Sequence, residues 1–146
     1  MKIPISVLVV IYTAKKEVLL LERADHPGYW QSVTGSLDAV DEPLAAAAAR
    51  EVFEETGIQL HKQANAKLID LQHHIHYEIY PEWRHRYAPG VTQNLEHWFA
   101  LELDDRIPIT LSPREHLSYQ WLPLVKAADL CFSPSNQAAI KKLNSD

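Results

Sequence analysis

Three carboxylates, Glu51, Glu54 and Glu55, crowd into five consecutive positions of a segment that reads as helix. At about 100° per residue they fall within an arc of roughly 100° on one helical stripe. Like charges at this spacing weaken an isolated helix by roughly 0.2–0.5 kcal/mol per pair. They also sit in the C-terminal half, where the helix dipole favours cations. A hard divalent cation reverses both penalties, because oxygen ligands and net negative charge are what Mg²⁺ requires. Arg50, adjacent in sequence, can orient a carboxylate through a bidentate hydrogen bond. A bare Glu-Glu pair would more often be a solvated acidic face, so the surrounding positions decide the reading.

Those positions are Gly35, Glu42, Arg50 with Glu51, Glu54 with Glu55, and the stop Gly57-Ile58. Together they resemble the Nudix box, Gly-x5-Glu-x7-Arg-Glu-apolar-x-Glu-Glu-x-Gly-apolar. One departure stands out: six residues, 36–41, separate Gly35 from Glu42 where the family pattern has five. Placing Asp41 at the glutamate position would restore that gap but break the seven-residue spacing to Arg50. An extra loop residue is tolerated, whereas an insertion in the helix would rotate every ligand, so the Glu42 register is preferred.

The resemblance implies an α/β (α+β) fold, the family's α/β/α sandwich around a mixed β-sheet. It implies Mg²⁺, with Mn²⁺ as a substitute, held by Glu51, Glu54 and Glu55. The metal would neutralise phosphate oxygens and acidify a water that attacks phosphorus in line. Glu54, Glu55 and Arg50 would serve the chemistry. Glu115, just ahead of a strand, is the candidate for a further carboxylate acting as metal ligand or general base. Segments 4–12 (PISVLVVIY), 29–36 (YWQSVTGS), 84–92 (RHRYAPGVT) and 115–121 (EHLSYQW) extend the likeness to the bacterial branch that hydrolyses dihydroneopterin triphosphate and, less selectively, dATP. Such enzymes release pyrophosphate and feed folate synthesis. Two alternatives stay open: a house-cleaning nucleotide or ADP-ribose-type hydrolase, and a non-catalytic binding module.

Substrate contacts are expected from Trp30, whose indole could stack on a planar bicyclic ring. Arg84, His85 and Arg86 form a compact cationic loop suited to phosphate, followed by Tyr87 and the Pro89-Gly90 turn. Trp30 could equally be a half-buried core residue, and the loop an ordinary surface loop. His73, His74 and His76 raise zinc, but no cysteine or second histidine pair stands at ligand spacing. They read instead as polar residues on the sheet faces. A Ser112, Glu115, His116 triad is disfavoured, since adjacency in sequence does not make one.

These groups need elements to hold them. Ile5–Thr13 is rich in β-branched residues and predicts a core strand; residues 17–22 predict its hairpin partner and 30–34 a short strand ending at Gly35. Residues 42–56, with five consecutive alanines and Pro43 in the first turn, predict the helix, closed by a left-handed Gly57. Residues 67–80, 94–103 and 118–122 predict strands, and 125–130 and Pro134–Leu143 predict helices. No repeat, linker or low-complexity tract divides the chain, so residues 1–146 are expected to form one Nudix hydrolase domain. The 14 basic and 19 acidic residues leave a formal charge of -5, unlike a nucleic-acid binder. The apolar run at the start is too short for a membrane span. One cysteine, Cys131, fits a reducing compartment. A cytoplasmic enzyme acting on a small triphosphate is therefore expected, with no nucleic-acid or membrane partner and with monomer and homodimer both open.

Overall fold

The computed structural model describes residues 1–144. Its strands are β1 (Ile5–Thr13), β2 (Glu17–Arg23), β3 (Trp30–Gln31), β4 (Val33–Ser36), β5 (Lys67–Glu78), β6 (Gln93–Leu103) and β7 (His116–Pro123). Its α-helices are α1 (Leu44–Thr56), α2 (Leu124–Leu130) and α3 (Pro134–Leu143). The strands form one mixed sheet in the order β3-β2-β1-β6-β5, with β4 added to β1 and β7 to β2. Only β1 and β6 among the strand pairs run parallel.

Strand β1 is buried on both faces, and that makes a three-layer α/β/α arrangement. Val7, Val9 and Ile11 join Ala47, Ala48 and Val52 of α1 in one core. Leu8, Val10 and Tyr12 join Leu124, Ala127, Ala139 and Ile140 of α2 and α3 in the other. The period of two in a strand sends alternate side chains to opposite cores. Ala47 and Ala48, both fully buried, let α1 lie close against the sheet.

The sheet forks. Strands β1 and β2 pair near their turn, at Tyr12 and Val18, and β4 takes the N-terminal half of β1 from Ser6 to Val9. Strand β3 pairs instead with Leu21 and Glu22 of β2. The single short strand expected over residues 30–34 is therefore broken at Ser32. Asn136 of α3 causes the break: its Oδ1 accepts from the Ser32 N–H at 2.7 Å and its Nδ2 donates to Ser32 Oγ at 3.1 Å, all of it buried. A side chain has replaced the ladder partner.

Two further boundaries differ from the sequence expectation. Helix α1 starts at Leu44, with Pro43 extended as its cap (ψ 138°), so Glu42 lies outside the helix. Strand β5 contains a bulge between Asp70 and His74, where Gln72 adopts φ 52° and its N–H is held by Asp70 Oδ1 at 2.8 Å. The C-terminus of α1 is as expected: Gly57 has φ 77° and its N–H donates to Phe53 O, while Ile58 is buried.

Asn136→Ala should lower stability by about 2–3 kcal/mol, because the Ser32 N–H would stay buried without an acceptor. The check is a urea titration, read as a lower midpoint at unchanged slope. A loss below about 0.5 kcal/mol would mean the break is held by something else.

Candidate active site

A cavity of about 1250 Å³ opens at the fork and reaches both sides of the sheet. Its acidic wall comes from Glu51, Glu54 and Glu55 of α1 together with Glu115 from the turn before β7. Glu51 and Glu55 are buried (8% and 2% exposed), one turn apart on α1, whereas Glu54 is exposed.

Burial pushes both carboxyl groups above the ordinary glutamate range, Glu55 the further of the two because it also faces Glu51 and Glu115. The backbone N–H of Thr34 opposes this at Glu55. Without a cation the pair is tolerable only by sharing a proton. Glu55 Oε1 is buried with no hydrogen-bond partner. His116 Nε2 stands 3.7 Å from it, but burial and the nearby Arg23 hold that imidazole at about 4, so it is neutral near pH 7. Ligand atoms of Glu55, Glu115 and His116 lie within 4.8 Å of one another, a grouping able to hold a metal ion. The orphaned oxygen and the mainly hard-oxygen donor set fit a divalent cation.

Arg50 organises this wall from behind. Its Nε and Nη2 form a bidentate pair with Glu42 at 2.9 and 3.0 Å. Nη1 donates to Glu51 Oε1 at 2.8 Å and to the Glu54 carboxylate at 3.3 Å, and Nη2 also reaches Ser36 O at 3.1 Å. Asp38 adds an ion pair at 3.1 Å, and its N–H caps Glu42. The Arg50 guanidinium holds the Glu42 carboxyl below its usual range. The Glu42 register, with its six-residue loop, is thus the one that satisfies Arg50. Arg50 does not line the cavity; it positions the carboxylates that do.

Gly35 has a defined reason. A Cβ built there would lie 2.1 Å from Glu51 Cδ and 2.3 Å from both carboxylate oxygens. The Glu51 head group occupies the space that any other side chain would need.

The recognition residues divide. Trp30 pairs with Glu22, packs against the α2–α3 core and is not among the residues lining the cavity. The aromatic surface there comes from Trp83, stacked on Tyr80 at 5.2 Å, and from Phe132. Arg23 lies over the Trp83 ring at 4.4 Å. Of the cationic loop, Arg86 and Tyr87 line the cavity, whereas Arg84 and His85 line a separate pocket of about 450 Å³. Arg84 is held there by Ile79 O at 2.9 Å. Arg86 and Arg23 both bind Asp25, whose carboxyl is pulled down to about 2, chiefly by Arg23. Lys2 and Arg114 also line the cavity. His73 tilts over Trp98 at 4.2 Å, and among the described residues the His73, His74, His76 run does not gather three metal-ligand atoms.

Sequence reasoning missed Trp83, Arg23, Asp25 and Phe132, together with the metal-ligand grouping of His116. They come from four separated segments, and the pairing of β2 with β7, which shifts register between Glu22 and Arg23, and the turn at Pro81–Arg86 bring them round one cavity. No local spacing signals this.

The NUDIX domain family matches residues 2–143. The chain is 47% identical over 142 residues to a dihydroneopterin triphosphate diphosphatase of Escherichia coli strain K12, covering 97% of this chain and 92% of that one. It is 42% identical over 138 residues to the protein of the same name from Haemophilus influenzae, covering 94% and 85%. The solved structure of the E. coli dihydroneopterin triphosphate pyrophosphohydrolase superposes with a TM-score of 0.89 at 47% identity, over 97% of this chain and 94% of that chain.

Gly35→Ala should separate folding from ion binding. Melting should shift by no more than about 1 kcal/mol equivalent, while displacement of the Glu51 carboxylate should weaken divalent-cation affinity at least about tenfold. Calorimetric titration of Mg²⁺ or Mn²⁺ reads the second effect. Unchanged affinity would show that the contact at Gly35 has no bearing on the carboxylates.

Proposed function

The chain belongs to the NUDIX family, and from that premise we propose that it hydrolyses dihydroneopterin triphosphate to dihydroneopterin monophosphate and pyrophosphate, with dATP as a lesser substrate. The observation carrying this reading is a single cavity whose acidic wall and aromatic wall face one space. The names of the two curated relatives support the substrate. The whole chain would act as one NUDIX domain in the cytoplasm, where Cys131, a buried free thiol, would stay reduced.

Glu51, Glu54, Glu55 and Glu115 would hold Mg²⁺, which supplies charge neutralisation at the phosphates and acidifies water. Each protein group then has a task. Glu51 and Glu55, whose carboxyl groups burial holds above the ordinary range, would be the buried ligands and would have to be ionised to hold the ion. Arg50, bound to Glu42, keeps Glu51 and Glu54 at fixed orientation, so little reorganisation accompanies binding. Glu115 is exposed at the mouth of the cavity and is the candidate to accept a proton from the attacking water. Arg23, Arg86, Arg114 and Lys2 would face the polyphosphate, and the Asp25 carboxylate accepts from the first two arginines and holds them at the cavity. The cluster of Tyr80, Trp83 and Phe132 would supply an apolar aromatic wall against the bicyclic ring, with Tyr80 and Arg23 already on the Trp83 ring. Trp30, Arg84 and His85 are not assigned to the substrate.

Glu51→Gln and Glu55→Gln should each reduce Mg²⁺-supported turnover by about two orders of magnitude or more. Without divalent ions, Glu55→Gln should be at least as stable as the parent, since a neutral amide replaces an acid whose ionised form is disfavoured by burial. The assay separates pyrophosphate from orthophosphate. Orthophosphate as the product, or full activity in both variants, would overturn the assignment.

Trp83→Ala should raise KM for the pterin triphosphate about tenfold, whereas Trp30→Ala should act on stability, by about 2 kcal/mol. Steady-state kinetics and thermal unfolding of the two variants check the contrast. The reverse pattern would return the ring to Trp30.

A further inference from the structure

The α2–α3 side of the cavity holds polar groups that hydrolysis does not require. Asn94 and Glu96 occupy alternate positions of β6, so they point to the same face. Both line the cavity, and they are 1% and 4% exposed. The indole N–H of Trp98 donates to Glu96 Oε1 at 3.1 Å, and the Ser135 hydroxyl is its other polar neighbour. These are neutral donors rather than a cation. Asn94 Nδ2 donates to Ser6 Oγ at 2.7 Å, which fixes the amide and leaves Oδ1 buried without a hydrogen-bond partner. Tyr77, across the ladder from Asn94, lines the same floor.

A buried carboxylate without a counter-ion is costly, and a buried amide oxygen without a donor adds to the cost. Burial accordingly holds the Glu96 carboxyl above the ordinary range. The Trp98 indole and the Ser135 and Tyr77 hydroxyls stand around these groups, yet Asn94 Oδ1 stays without a partner and Glu96 without a cation, and a ligand with adjacent N–H groups would relieve both.

We propose that Glu96, with Asn94 Oδ1 beside it, reads the edge of the substrate ring by accepting hydrogen bonds from the N3–H and 2-amino group of a 2-amino-4-oxo pteridine. The assignment rests on the pterin reading of the site given above. Two donors side by side match the two oxygens of one carboxylate. Adenine presents one amino donor next to an acceptor nitrogen, so one carboxylate oxygen would meet a lone pair. Contact with the aromatic wall of Trp83 and Phe132 cannot make this distinction, because every base has a π-face. Discrimination between a pterin and adenine therefore falls to the edge contact.

Glu96→Gln keeps the volume and can still accept from Trp98, but it turns one acceptor into a donor. The ratio of kcat/KM for dihydroneopterin triphosphate to that for dATP should fall about 10- to 100-fold. An equal change on both substrates, or none, overturns the proposal. A second measurement uses the parent protein and needs no hydrolysis: titration with dihydroneopterin and with the same ring carrying oxygen in place of the 2-amino group. The 2-amino ring should bind at least about tenfold more tightly, and Glu96→Gln should erase that difference. Parent protein that binds both rings equally overturns the assignment, even where Glu96→Gln fails to fold. Parent protein that discriminates the rings yet hydrolyses no pterin triphosphate leaves Glu96 as the ring reader and removes the proposed reaction instead.

Discussion

Everything around the cavity depends on keeping Glu51 and Glu55 buried side by side on one face of α1. Two carboxyl groups at that spacing repel when ionised and lose hydration when buried. The fold meets the problem with one guanidinium, Arg50, which spans Glu42, Glu51 and Glu54. It also removes a side chain at Gly35, where the Glu51 head group sits. What it leaves unmet is a Glu55 oxygen without a partner. A protein interior rarely keeps such an atom unless something else completes it.

The fork between β1 and β2 turns that acidic face into a site. Strand β4 brings Gly35 to β1 and under α1, while β3 leaves with β2 towards α3. Because the two strands diverge at Ser32, the space between them connects the α1 face with the α2–α3 face. An acidic wall and an aromatic wall, which belong to opposite sides of the sheet, thereby share one cavity.

The elements that sequence reasoning placed well are those governed by local rules. Strand β1 spans the expected residues because its β-branched run has nowhere to go but the core, and α1 ends at Gly57 because only a left-handed residue closes that turn. Where it went astray, a distant side chain intervened. Asn136 breaks the strand at Ser32, and Glu42, outside α1 behind the extended Pro43 cap, is bound by Arg50. Trp30 was a reasonable ring platform by residue type, but it pairs with Glu22 and packs on the core, and Trp83 lines the cavity instead. The cationic loop read as one unit, yet its 3-10 turn points Arg86 inward and Arg84 outward.

The carboxylate stripe was legible in the sequence alone, since helical periodicity and the chemistry of clustered acids act over a few residues, while the Glu42 register and the α/β/α fold followed from the resemblance to the Nudix box. The tertiary structure decided which aromatic rings and arginines meet those acids, and which polar groups line the far wall. Glu96 and Asn94 look like ordinary strand residues until β6 lies parallel to β1 and buries them. Such contacts join residues far apart along the chain. They follow from strand pairing and layer packing, which no local spacing encodes.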